Sequence, residues 1–192
     1  SQNFDGAPAV DPFGGIPCWS ITGPGQDDIE LSDSPDFGVD PAPSAPNSIE
    51  MSPGDWSSGD SAFVVSPQFS DLPSGLNRIR FQAAFESLSG NVLYVGVMTN
   101  PNSSATFVPI DTIVPSVIDV YQEYIVNLDN TGLIGSAEYI GFAHGPTFND
   151  VYIDDFVYEA IPACPNPTAF AADSVSDSEV FMSWTNGGSE TA

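Results

Sequence analysis

The sequence predicts an all-β fold, a two-sheet antiparallel sandwich of jelly-roll kind, and three observations carry that prediction. Short segments alternate apolar and polar residues with period two. Gly, Pro, Asn, Asp and Ser separate these segments at near-regular intervals, and no segment of consequence has helical spacing.

The clearest element is "NRIRFQAAF". It places Ile79, Phe81, Ala83 and Phe85 on one face and Arg78, Arg80 and Gln82 on the other, the pattern of a half-buried strand. "SAFVVSPQF" precedes it as a strand, and "NVLYVGVMT" follows after the turn-rich "ESLSG", which suggests a hairpin. "YQEYIVNL", "AEYIGFAHG" and "DVYIDDFVYE" are three further strands. "PSVIDVYQEY" has some helical appearance, but its β-branched residues and Pro115 argue against a helix. Residues 22 to 60 differ: Pro, Gly, Ser and Asp dominate, and an insertion of that length without structure is expected only where it is functional or held by a ligand. Beyond Pro165 the style changes again, to a strand, a polar turn and a second strand ending in Trp184. The division expected is 1–161 for the sandwich and 162–192 for a linker and the start of another domain.

Composition narrows the function. With 41% hydrophobic residues and 13 Phe, the chain of 192 residues is a folded protein rather than an acidic disordered tail. Its 26 acidic residues face two arginines and no lysine, for a formal net charge of −24. Such a chain lacks the clustered cations that bind phosphate, so nucleic acid is excluded as a partner. It attracts divalent cations instead, and salt screens its self-repulsion. No run of about 20 apolar residues is present to insert into a membrane. "SQNFDG" opens on a strand-like segment, as a mature N-terminus does after a signal peptide is removed. Cys18 and Cys164 match neither a zinc spacing nor a CxxC redox motif; they are two free thiols or one long-range staple. A staple closing so long a loop would stabilise the fold by roughly 3–5 kcal/mol.

Several stretches, in order, resemble a known domain: "NFDG", "IPCWSI", "SAFVVSPQFSDLPSGLNRIRFQAAF", "EYIGFAHG" and "VYIDDFVYE". Residues 2 to 160 resemble a MAM-like jelly roll, closest to the choice-of-anchor J domain of secreted bacterial surface proteins and polysaccharide-degrading enzymes. The tail after "ACPNPT" resembles the first two strands of a fibronectin type III domain, in whose core Trp184 would sit. The resemblance implies secretion and a role in binding or display, with further domains of the same chain as neighbours. It also implies that Trp19 is buried. It does not imply catalysis.

Read as alternating residues, Asp154 and Asp155 point to opposite faces, and an inward carboxylate needs a partner. Jelly-roll modules often hold a structural calcium where first and last strands lie side by side. On that pattern the expected calcium ligands are Asp5 and Asp155, with Asn3 nearby and Asp60 or Asp28 from the long loop. The alternative is that the two aspartates cap turns or accept backbone hydrogen bonds. The same adjacency of terminal strands would bring Cys18 and Cys164 together as a disulfide.

Arg78 and Arg80 share one strand face. They form ion pairs with neighbouring carboxylates, or they serve a glycan platform, where a guanidinium can bind sugar hydroxyls, carboxylate or sulfate. Aromatic rings would supply the stacking surface, with Trp56, Tyr94, Tyr121, Tyr124 and Tyr139 as candidates and most Phe residues assigned to the core. His144, the sole histidine, is kept in the ligand set, although a packing or hydrogen-bonding role suits a strand end better than catalysis. No G-x-S-x-G elbow and no E-x-D-x-x-E signature occurs, and with 26 acidic residues a glycosidase-like carboxylate pair would arise by chance. The sequon Asn102-Ser103-Ser104 is read as incidental. The resulting expectation is a calcium-stabilised, non-catalytic module binding a polysaccharide or cell-surface glycan; the alternative is a display or spacer module with no ligand of its own.

Overall fold

The computed structural model describes residues 16, 18–25, 29–32, 41–44, 47–52, 61–145, 149–162 and 168–185. The chain divides into two units, Ser1–Glu159 and Ala160–Ala192.

The first unit is a sandwich of two five-stranded sheets. Its strands are β1 Ser20–Thr22, β2 Ile29–Ser32, β3 Ser48–Met51, β4 Ala62–Val65, β5 Asn77–Phe85, β6 Leu93–Met98, β7 Val108–Ile113, β8 Gln122–Asn127, β9 Tyr139–His144 and β10 Val151–Ala160. Sheet one runs β1-β4-β9-β6-β7 and sheet two runs β2-β3-β10-β5-β8. The pairings β1–β4, β4–β9, β9–β6 and β6–β7 are antiparallel, as are β2–β3, β3–β10 and β5–β8. The one α-helical turn among the described residues is Thr131–Ile134.

Alternation decides which side chains meet between the sheets. From sheet one come Val64, Leu93, Val95, Val97, Ile140 and Phe142; from sheet two come Ile29, Leu31, Ile49, Met51, Ile79, Phe81, Phe85 and Ile153. Phe142 of β9 meets Phe81 of β5 edge-to-face at 5.0 Å between centroids, and Phe156 of β10 at 6.0 Å. Trp19, buried as expected, closes the cluster against Phe156 at 5.2 Å. Each such ring removed from water contributes about 1.5–3 kcal/mol.

The stretch from 22 to 60 is not without structure. It supplies β2 and β3, whose Ile29, Leu31, Ile49 and Met51 are buried. These strands have four residues each, too short for their alternation to stand out from the surrounding Pro, Gly and Ser. β10 departs from the expected regular strand as well. Its core-facing residues run Val151 and Ile153, then Phe156 and Tyr158, so the alternation slips by one at the aspartate pair. Asp155 takes a positive φ of 50° there. Asp154 and Asp155 therefore do not point to opposite faces, and neither carboxylate enters the core.

The second unit is described by itself. It is an antiparallel hairpin of β11 Thr168–Val175 and β12 Val180–Thr185. Ser183 Oγ donates to Asp173 Oδ1 at 2.9 Å across it, and Phe170, Phe181 and Trp184 are exposed.

Candidate ligand-binding face

Each sheet has an outer face, partly covered, opposite the one it turns to the core. On sheet two, the positions alternating with core residues include Glu30, Glu50, Asp154, Arg78, Arg80 and Glu123. Arg78 donates from Nε and Nη2 to the same oxygen, Glu159 Oε1, at 2.8 and 2.6 Å. Arg80 Nη1 donates to Glu123 Oε1 at 2.8 Å, and its Nε lies 3.8 Å from Glu159. The Glu123 bond, above all, raises the Arg80 pKa further. Both cations of the chain are therefore engaged with carboxylates on this face.

Asp154 is fully buried beneath the 41–44 segment. Its carboxylate accepts from Ser44 N at 2.9 Å, from Ser44 Oγ at 3.0 Å to each oxygen, and from Asp155 N at 2.7 Å. Burial raises its pKa, and the bonds from Ser44 and Asp155 oppose that rise. The partner of the buried aspartate is thus a serine and backbone N–H groups. Of the expected calcium ligands only Asp155 is described; Asn3, Asp5, Asp28 and Asp60 lie outside the described residues. Among the described residues no three of His, Cys, Asp or Glu group to hold a metal. Cys18, at φ 70°, is exposed with a free thiol, and Cys164 lies outside the described residues.

His144 presents nothing to a ligand. It is fully buried on the interior row of sheet one, with Nε2 2.8 Å from the Asn149 carbonyl oxygen and Nδ1 3.1 Å from that of Val92. Burial lowers its pKa, while the two carbonyls act the other way. The tyrosines separate too. Tyr124 turns inward, its ring 5.8 Å from Phe81 and 6.3 Å from Phe85. Tyr121 has its hydroxyl enclosed, and burial raises its pKa. Trp56 lies outside the described residues. Tyr94 and Tyr139 remain, and both belong to the outer face of sheet one.

Much of that face is buried, Thr22, Val65, Ala143 and Met98 included, and the exposed Asp111 lies on its edge strand β7. The first row of the face, read across directly opposed residues, is Thr22, Phe63, Ala143, Tyr94 and Thr112. Its second is Ser20, Val65, Gly141, Gly96 and Pro109, and Met98 pairs with Tyr139 beyond. No position in these rows carries a charge. Tyr94 is 38% exposed, while Phe63 is half-buried and outside the core cluster. Phe107, just before β7, lies across two glycines. A Cβ on Gly96 would meet its ring at 2.5 Å, and one on Gly141 at 3.0 Å. Phe107 also meets Phe63 edge-to-face, with centroids 5.3 Å apart. The sequence reading placed most Phe residues in the core and did not single out this pair. The available signal was the alternation in "AFVV", where Phe63 is out of phase with buried Ala62 and Val64.

No family model matches the sequence, and no curated protein matches it. Solved structures do. A cleaved adhesin domain of Lys-gingipain matches over 83% of this chain and 98% of its own, with a TM-score of 0.61 and 12% identity. Another, from Porphyromonas gingivalis, matches over 81% of this chain and 99% of its own, at TM-score 0.54 and 16% identity. TmCBM61 in complex with β-1,4-galactotriose matches over 84% of this chain and all of its own, at TM-score 0.51 and 12% identity. At these identities the likeness establishes the fold: an all-β, two-sheet antiparallel jelly-roll sandwich.

Proposed function

We propose that this chain is a non-catalytic carbohydrate-binding or adhesion module of a secreted bacterial surface protein, and that it binds through the outer face of sheet one. One observation carries the reading. In a chain of net charge −24, the outward rows bearing Tyr94 and Tyr139 hold no charge and several aromatic rings. A surface of that kind suits a ligand with both apolar faces and hydroxyl groups, which describes a sugar. The fold's likeness to adhesin domains and to a module bound to galactotriose supports the same reading. The enclosure of the sole histidine against two backbone carbonyls speaks against hydrolysis through it.

The finer identity proposed is a MAM-like, choice-of-anchor J domain followed by the start of a fibronectin type III domain. The order of the sequence motifs supports it, as does the hairpin β11–β12. Calcium stabilisation belongs to the proposal, with Asp155 and the chain's excess of carboxylates in its support. The test is a glycan array and affinity electrophoresis on polysaccharides, each with and without EDTA. Retention should be lost in Tyr94→Ala at unchanged melting temperature, and EDTA should lower that temperature. A folded protein retained on no glycan would leave the display or spacer reading in its place.

A further inference from the structure

We infer that the ligand of the Tyr94 face is an uncharged polysaccharide, stacked across Phe63, Phe107 and Tyr94, and that sulfated and carboxylated glycans are excluded. The inference rests on the glycan-binding reading above and names the ligand class for the same face.

Geometry supplies the stacking surface. Phe63 and Tyr94 stand on strands flanking β9, and Ala143 is the residue directly between them. Two inter-strand spacings separate them, about 9.5 Å. Ala143 itself is buried beneath this row, so the accessible surface is the exposed Tyr94 ring with the half-buried Phe63 and Phe107 beside it. Phe107 broadens the Phe63 side through its edge-to-face contact. A saccharide laid along this row presents its C–H faces to the rings. Its hydroxyls meet uncharged partners, the Tyr94 phenol and the exposed Thr112 directly opposite it.

Charge supplies the selection. An anionic glycan is ordinarily held by Lys or Arg, and arginine's fork suits sulfate or carboxylate. This chain has two such residues, and both lie on the other sheet's outer face in contact with Glu159 and Glu123. An anion approaching Tyr94 finds no cation in the rows around it, within the field of a chain of net charge −24. That field is screened over about 8 Å at physiological salt, so the discrimination is strongest at low ionic strength.

The experiment compares polysaccharides sharing one backbone with and without charge: a neutral galactan against a sulfated galactan, and a neutral glucan against its carboxymethyl derivative. Binding to the intact chain is measured by titration calorimetry at low and high salt. Neutral chains should bind at least tenfold more tightly than their charged counterparts at low salt, and the gap should narrow as salt rises. Tyr94→Ala should weaken neutral binding at least tenfold. Tyr94→Phe should lose only a few-fold, since the ring remains. Arg78→Ala and Arg80→Ala should bind within twofold of the parent. Preference for the charged chains, or loss of binding in the arginine variants, would overturn the ligand class while leaving glycan binding intact. No binding to any of the four by the folded protein would overturn the glycan-binding reading and this inference with it.

Discussion

Gly96→Ala isolates the contact that holds Phe107 on the outer face of sheet one. An added methyl would lie 2.5 Å from Phe107 Cε2 and Cζ and 2.6 Å from the Val108 carbonyl oxygen. The ring can move away, but the carbonyl belongs to the neighbouring strand, where Val97 pairs with Val108, and cannot. Overpacking of this kind costs about 1–3 kcal/mol, and the backbone contact puts Gly96 at the upper end. Replacing glycine within a strand returns about 0.5–1 kcal/mol, leaving a net loss of about 2 kcal/mol. For a domain of this size that lowers the melting temperature by about 4–8 °C. Gly141→Ala is the control. Its methyl would meet Met98 Sδ at 3.0 Å and Phe107 Cδ2 at 3.0 Å, both on side chains able to yield, so its cost should be near zero. Scanning calorimetry and urea unfolding on both variants, each with and without Phe107→Leu, separate ring from backbone. Phe107→Leu should restore only part of the Gly96→Ala loss. If Gly96→Ala melts no lower than Gly141→Ala, or Phe107→Leu restores it in full, the reasoning fails.

Two further perturbations follow from buried titratable groups. Ser44→Ala removes the hydroxyl that Asp154 accepts from while leaving both backbone donors, and should cost about 1–3 kcal/mol at neutral pH. Because burial raises the folded pKa of Asp154, its contribution is fully present below the ordinary aspartate value and is lost as pH rises through the folded one. The Ser44 hydroxyl opposes that rise by favouring the ionised carboxylate, so the Ser44→Ala deficit should shrink in acid, and a deficit independent of pH in urea titrations would argue that Asp154 is not its source. His144 behaves in the opposite sense. Its lowered folded pKa means that its contribution is present above about 6.5, the ordinary histidine value, and is lost as pH falls through the folded value. His144→Gln should flatten that part of the melting-temperature profile, and a slope unchanged by the substitution would refute the assignment.

What was legible in the sequence was local. Ile79, Phe81, Ala83 and Phe85 announce β5 because strand burial repeats every two residues, and a nine-residue strand repeats it several times. β2 and β3 carry the same signal over four residues each, too few to be read through the surrounding Pro and Gly. In β10 the period itself breaks at Asp155, so a rule assuming regular alternation sent the two aspartates to opposite faces.

The candidate site was less legible because it is assembled across strands distant in the chain. Tyr94 could be proposed as an aromatic on a strand, but its neighbours Ala143 and Phe63 come from β9 and β4. Likewise, that the arginines on β5 face carboxylates at 123 and 159 depends on β8 and β10 lying to either side of it. By itself, the sequence determined the all-β class, the principal strands, the sense of the charge and the pairing of two arginines on one face. Only the tertiary structure decided which strands became neighbours, and so which face kept the charge and which the rings. The reason is physical: side-chain alternation arises from backbone geometry within one segment, whereas strand order arises from the burial gained when segments far apart in the chain pack together.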